Sequence, residues 1–190
     1  MQDEEGSWTI SDSMSGAGGK FISIEGDAAA CNHLVQYLQD NLPDGYICQL
    51  PSTGPLGQVW RQRLSTTVRF DPLEVIFGAV ADAYELAERQ DDTGIIWQLR
   101  FGHMVICRDY VIGLLARYAV PHQLEDWAQH LIAFLPRPAL TFYLPDGLSP
   151  ALMAQYDRAI ALLDGSARIV TPATGSVNWA ADVLALLAGE

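Results

Sequence analysis

Phe21-Ile22-Ser23-Ile24-Glu25-Gly26-Asp27-Ala28-Ala29-Ala30-Cys31-Asn32-His33 is the stretch on which the architecture turns. Its first five residues form a short β-rich run of the kind that makes a buried strand. Gly26 interrupts the run. From Ala28 onward the apolar positions change period, and Leu34, Val35, Leu38 and Leu42 fall on one helical face, so the spacing predicts a helix over 28–42. Asp27 and Asn32 are the residue types that cap helices, and both are given that role. Glu25, at the end of the strand, is placed to hold a water or a loop amide. A helix that begins directly after a strand presents unpaired N–H groups, which attract anions in a generic way.

Outward from this stretch, strands and helices alternate. Strands are predicted at 21–25, 46–50, 103–107, 139–144 and 167–171, and helices at 28–42, 58–65, 72–90, 93–102, 123–135, 150–163 and 176–187. Short apolar strands separated by helices imply an α/β fold: three layers, a five-stranded parallel sheet flanked by helices. Residues 1–19 read as a flexible tail and 20–190 as one domain. Gly16-Ala17-Gly18-Gly19-Lys20 looks like a phosphate loop but is rejected as one. Met14 stands where the first glycine is needed, Phe21 where a hydroxyl is needed, and the run precedes the first strand instead of following it.

Composition narrows the function. The chain has 190 residues, 11 basic and 23 acidic, for a net charge of −12. That surface disfavours binding to nucleic acid and to anionic membranes. No apolar run has the length of a membrane span. Asp3, Glu4 and Glu5 stand where a secretion signal would carry basic residues. Cys31, Cys48 and Cys107 are widely spaced and set among apolar residues, which fits reduced thiols in a cytoplasm. The four histidines show no metal-ligand spacing, so no metal site is expected. Trp60, Trp97 and Trp127 lie on amphipathic helices, where packing is the expected role. Arg61, Arg63, Arg69, Arg100 and Arg108 are expected to be solvated or paired with the acidic excess.

At residues 19–26, GKFISIEG, the sequence resembles the opening of thymidylate kinases, where a strand ending in Glu-Gly leads into the phosphate loop E-G-x-D-G-x-G-K-[ST]. Further pieces follow in the family's order: PSTGPLGQ at 51–58, Asp71-Pro72-Leu73 with Ile76-Phe77, VICRDY at 105–110, PALTFYL at 138–144, and 167–170 as the last strand. The likeness spans about residues 19–188. It implies the nucleoside monophosphate kinase form of the P-loop fold.

The chemistry of that family is not carried over with the fold. Laid on the pattern without gaps, Gly26 is kept. The other two glycines fall on Ala29 and Cys31, the lysine on Asn32, and the magnesium-holding hydroxyl on His33. Asn32 offers no charge, and an imidazole is a poor ligand for magnesium. A Cβ at 29 and 31 hinders a cradle that needs φ > 0, so Ala28 to Ala30 are expected to wind into the helix. Cys31 and His33, two apart on that helix, face different ways and form no thiolate pair.

The substrate side departs from the family as well. Gln49-Leu50 replace its Arg-Glu, and Arg108-Asp109-Tyr110 invert its Asp-Arg-Tyr. Ala79 to Ala83 replace its monophosphate-binding arginine, and Gly113 to Tyr118 replace its Ser-Ser-x-Ala-Tyr-Gln. The arginine-bearing lid is expected to be reduced or absent. Gly26, Asp27, Ala29, Cys31, Asn32 and His33 thus read as a vestigial phosphate loop. Gln49, Leu50, Arg108, Asp109 and Tyr110 read as a vestigial substrate site. ATP, magnesium and catalytic residues are not expected. The implied function is that of an inactive scaffold, pairing with itself or with another protein through helices 72–90 and 123–135. The alternatives are a divergent dTMP kinase using substitutes such as Arg108 or Arg117, and a nucleotide sensor.

Overall fold

The structure is a computed structural model and describes residues 18–66, 71–162, 168–174 and 178–188. Most of the N-terminal tail, including Met14, lies outside these residues, as do Arg69, Ala167 and the expected start of the last helix at Ser176. Five strands, β1 (Phe21–Gly26), β2 (Tyr46–Gln49), β3 (Val105–Arg108), β4 (Leu140–Leu144) and β5 (Arg168–Val170), form one sheet in the order β2-β3-β1-β4-β5. All its pairings are parallel. The central position of β1 explains its composition: all six residues are buried, as befits a strand covered on both faces.

Two cores lie against the two faces. On one side Ile22, Ile24, Phe142 and Leu144 pack on Cys31, Leu34 and Leu38 of α1 (Ala28–Asn41), together with α8 (Trp179–Ala188). On the other side Phe21, Cys107 and Tyr143 share a core with α3 (Pro72–Glu88), α4 (Ile95–Arg100), α5 (Val111–Leu114), α6 (Glu125–Ile132) and α7 (Pro150–Ala161). The remaining helix, α2 (Pro55–Leu64), lies against α3, where Trp60 meets Gly78. This is the expected three-layer α/β arrangement. Among the described residues, α7 is the one helix between β4 and β5.

The sequence pattern gave no element to residues 111–122. There α5 runs into a π-helical turn (Leu115–Ala119) and a 3₁₀ turn (Val120–His122). Val111 to Ala116 are all buried, and the first exposed side chain is Arg117, so the start of the segment shows no amphipathic period. The same turn shortens the helix expected over 123–135 to α6. The helix expected from 58 starts three residues earlier, because Pro55 is suited to a first helical position.

Candidate functional site

One residue connects β1 to α1. Gly26 has φ +129°, and a Cβ there would lie 2.2 Å from the carbonyl oxygen of Leu144, so the position admits glycine. Asp27 follows as the helix cap, and its Oδ1 accepts from the N–H groups of both Ala29 and Ala30 at 3.0 Å. The Asp27 carbonyl accepts from Cys31 N–H at 2.9 Å. Capping by Asp27 is therefore as expected, and so is the winding of the alanines into α1. The amides that a phosphate would use are already bonded to a carboxylate. The loop after β4 closes on the same group: a Cβ on Gly147 (φ +99°) would come within 2.8 Å of Asp27 Oδ2.

The neighbouring positions are also engaged. Asn32 does not cap the helix, contrary to the expectation. It lies beyond the first turn, and its Oδ1 accepts from Arg108 Nη1. Arg108 is held there because the parallel register sets it beside Ile24 of β1, and its Nε also donates to Asp109 Oδ2 at 2.9 Å. The inverted Arg-Asp pair is thus an internal ion pair, with Asp109 in the left-handed region at φ 54°. The ring of His33 lies 5.5 Å from that of Trp179 on α8. Ala29 is exposed. Cys31 is fully buried, and burial pushes its thiol up to about 12. Cys31 and His33 point to different surroundings, as expected. Asp146, beside Gly147, accepts a hydrogen bond from Thr174 Oγ1.

The substrate side keeps a cavity of about 210 Å³, lined among others by Leu50, Trp60, Ala79, Asp109, Leu114 and Arg117. Trp60 lies so close to α3 that a Cβ on Gly78 would sit 1.4 Å from its ring. Arg117 donates to the carbonyl of Gly26 and to Tyr156 Oη, both at 3.3 Å. Gln49 is exposed at the end of β2 and does not line this cavity. Tyr110 is buried, edge-on to Phe21 at 5.1 Å, with its hydroxyl donating to Pro136 O at 3.1 Å. The structure therefore brings Asn32, Arg108 and Asp109 together, and leaves Gln49 outside.

Two features lie beyond the sequence reading. Asp82 on α3, 1% exposed, accepts from Ser52 N–H at 2.7 Å and from Ser52 Oγ at 2.5 Å, clasping the loop before α2. Burial holds the Asp82 carboxyl above its ordinary range, and the Ser52 bonds oppose this. No local pattern links residues 30 positions apart. Glu25 is fully buried, and its two oxygens accept from Ile112 and Gly113 N–H at 3.2 and 3.0 Å. It holds loop amides as expected. What the sequence did not show is that these amides open α5. Burial, then the charge of Asp109, raise its carboxyl to about 8.

Where the resemblance would have a nucleoside triphosphate and magnesium meet free amides, an ammonium and a hydroxyl, this chain has two amides bonded to Asp27, then Asn32 and the ring of His33 against Trp179. Among the described residues, no group of three His, Cys, Asp or Glu side chains is placed to hold a metal ion.

No family model matches the sequence. A probable thymidylate kinase of Pyrobaculum aerophilum is 25% identical over 125 residues, which cover 65% of this chain. The chain spans 63% of the length of that relative. A crystal structure of thymidylate kinase from Ehrlichia chaffeensis superposes with a TM-score of 0.70 at 17% identity, over 90% of this chain and 99% of the other. With the strand order, these findings give the chain the thymidylate-kinase-like fold that the resemblance implied.

Proposed function

We propose that this chain is a thymidylate-kinase-like protein that does not transfer phosphate and acts by binding a protein partner. The observation that carries the reading is the carboxylate of Asp27 seated on the amides of Ala29 and Ala30. A phosphate placed there would meet a negative charge instead of N–H donors. At an effective dielectric near 20, two like charges about 4 Å apart repel by roughly 4 kcal/mol. Asn32, His33 and Asp146 are bonded or packed within the chain. The former nucleotide side thus has its polar groups satisfied internally. In this reading Gly26, Asp27, Ala29, Cys31, Asn32 and His33 are the remnant of a phosphate loop.

The partner surface in this reading is formed by α2, α3 and α6. Val59, Phe77 and Tyr84 are 63%, 53% and 50% exposed, and Phe77 packs edge-on against Trp127 of α6 at 4.5 Å. Exposed apolar side chains, with Phe77 and Tyr84 one heptad apart on α3, favour association, either with a second copy or with a different protein. The free cysteines accord with a cytoplasmic setting. No helix among the described residues is long and apolar enough to cross a membrane.

A second reading, a nucleotide sensor or a divergent dTMP kinase, is favoured by one feature: the 210 Å³ cavity that keeps Arg117 at its edge. Thermal denaturation with ATP, ADP, dTMP and dTDP in magnesium separates the readings. A ligand at a hundred times its Kd would add about 2.7 kcal/mol of stability. The first reading expects no shift with any of the four. A shift with dTMP alone would favour the sensor, and phosphate transfer would favour the kinase.

A further inference from the structure

The sheet face under α5, α6 and α7 carries three polar side chains where parallel sheets normally hold aliphatic ones. Ser23 and Glu25 are two apart on β1 and share a face, and Thr141 of β4 pairs with Ser23. All three are at most 1% exposed. Ser23 Oγ and Thr141 Oγ1 are 2.6 Å apart, and Glu25 spends one acceptor position of each oxygen on the amides of α5. Over them lies a cavity of about 190 Å³, distinct from the one beside Arg117, with walls that include Ile112, Ile132, Leu135 and Leu162.

The unused valences define what fits. Burial favours the protonated Glu25 carboxyl, and a cation bound against it favours the charged form. In that charged form a carboxylate has about four acceptor positions, of which Glu25 uses two; each hydroxyl oxygen can also accept. The floor therefore offers acceptors from three side chains, the number that a primary ammonium can satisfy. Among the described residues, no cation donates a hydrogen bond to Glu25. At the rim, Arg137 is exposed and bracketed by Pro136 and Pro138, which restrict the linker to extended conformations. Tyr110 anchors that linker through the Pro136 carbonyl. Arg137 has no ion pair or hydrogen bond among the described residues. The cavity is smaller than the roughly 300–1,000 Å³ of drug-sized sites, which limits the ligand to a short carbon chain.

We propose that this cavity binds a small ω-amino carboxylate. Its ammonium rests on Glu25, Ser23 and Thr141, its methylenes lie between Ile112, Ile132, Leu135 and Leu162, and its carboxylate meets Arg137. The cavity lies on the opposite side of β1 from α1, so the proposal stands whether or not the chain binds nucleotides.

Titration calorimetry of the full chain with 6-aminohexanoate, hexylamine and hexanoate tests this. The expected result is binding of 6-aminohexanoate, with hexylamine about tenfold weaker for want of the bond to Arg137. Hexanoate is expected to give no binding heat. Ala133→Trp, at an exposed rim position lining the cavity, should abolish the heat while leaving the melting temperature unchanged. Thr141→Val, which keeps the side-chain shape, should weaken binding about tenfold. The proposal is overturned if 6-aminohexanoate gives no heat up to about 10 mM, a concentration well above the Kd of even a weak site. It is equally overturned if hexylamine or hexanoate binds as well as 6-aminohexanoate, or if Ala133→Trp leaves binding intact.

Discussion

A helix begins with N–H groups that have no partner within it, and in this chain those of Ala29 and Ala30 are met by Asp27 at 3.0 Å. Asp27→Ala should lower stability by about 0.5–2 kcal/mol in urea denaturation, the usual effect of losing a cap. The proposed reading expects no phosphate transfer from that variant, because freeing two amides supplies neither an ammonium nor a hydroxyl. Glu25 makes a second residue-scale prediction. Its carboxyl is raised from 4.5 to about 8 by burial and by Asp109, so between those values the folded chain holds a proton that the unfolded chain has released. The stabilisation is complete below pH 4.5 and is lost as the pH rises through 8. Stability should therefore fall between pH 5 and 8 by up to about 1.4 kcal/mol per pH unit. Asp82, raised as well, acts in the same direction. Glu25→Gln should flatten the slope above pH 5, and an unchanged slope would show that another group carries it.

At the scale of elements, local signals were readable and reach across the fold was not. β1, the break at Gly26, the Asp27 cap and the helical period of Leu34 and Leu38 all lie within adjacent residues, so the sequence shows them. Arg108 on Asn32 depends on the register of β3 against β1, 76 positions apart, and no local pattern encodes it. For the same reason Asn32 looked like a cap. Residues 111–122 escaped notice because Val111 to Ala116 are buried all round, which removes from the segment's start the polar face that marks a helix. The Ser52–Asp82 clasp joins a loop to α3 and fixes one wall of the Arg117 cavity. Asp82→Asn replaces one acceptor with a donor that faces Ser52. It should cost about 1–3 kcal/mol and speed hydrogen exchange of the amides of Ser52 and Gly54.

On the scale of the whole molecule, a thymidylate-kinase-like fold is kept, the turn from β1 into α1 is held by internal bonds, and Val59, Phe77 and Tyr84 leave apolar surface exposed on α2 and α3. If that surface associates, Phe77→Asp should shift the chain to a smaller species in sedimentation or light scattering without altering its circular dichroism. An unchanged mass in every condition would remove α3 from the interface. The proposed absence of a nucleotide site is open to a direct measurement, titration calorimetry with ATP and magnesium. The account predicts no binding heat at millimolar ATP, before and after Asn32→Lys with His33→Ser. A dissociation constant below about 1 mM, equivalent to about −4.1 kcal/mol, would contradict it, and so would phosphate transfer recovered by those two substitutions alone.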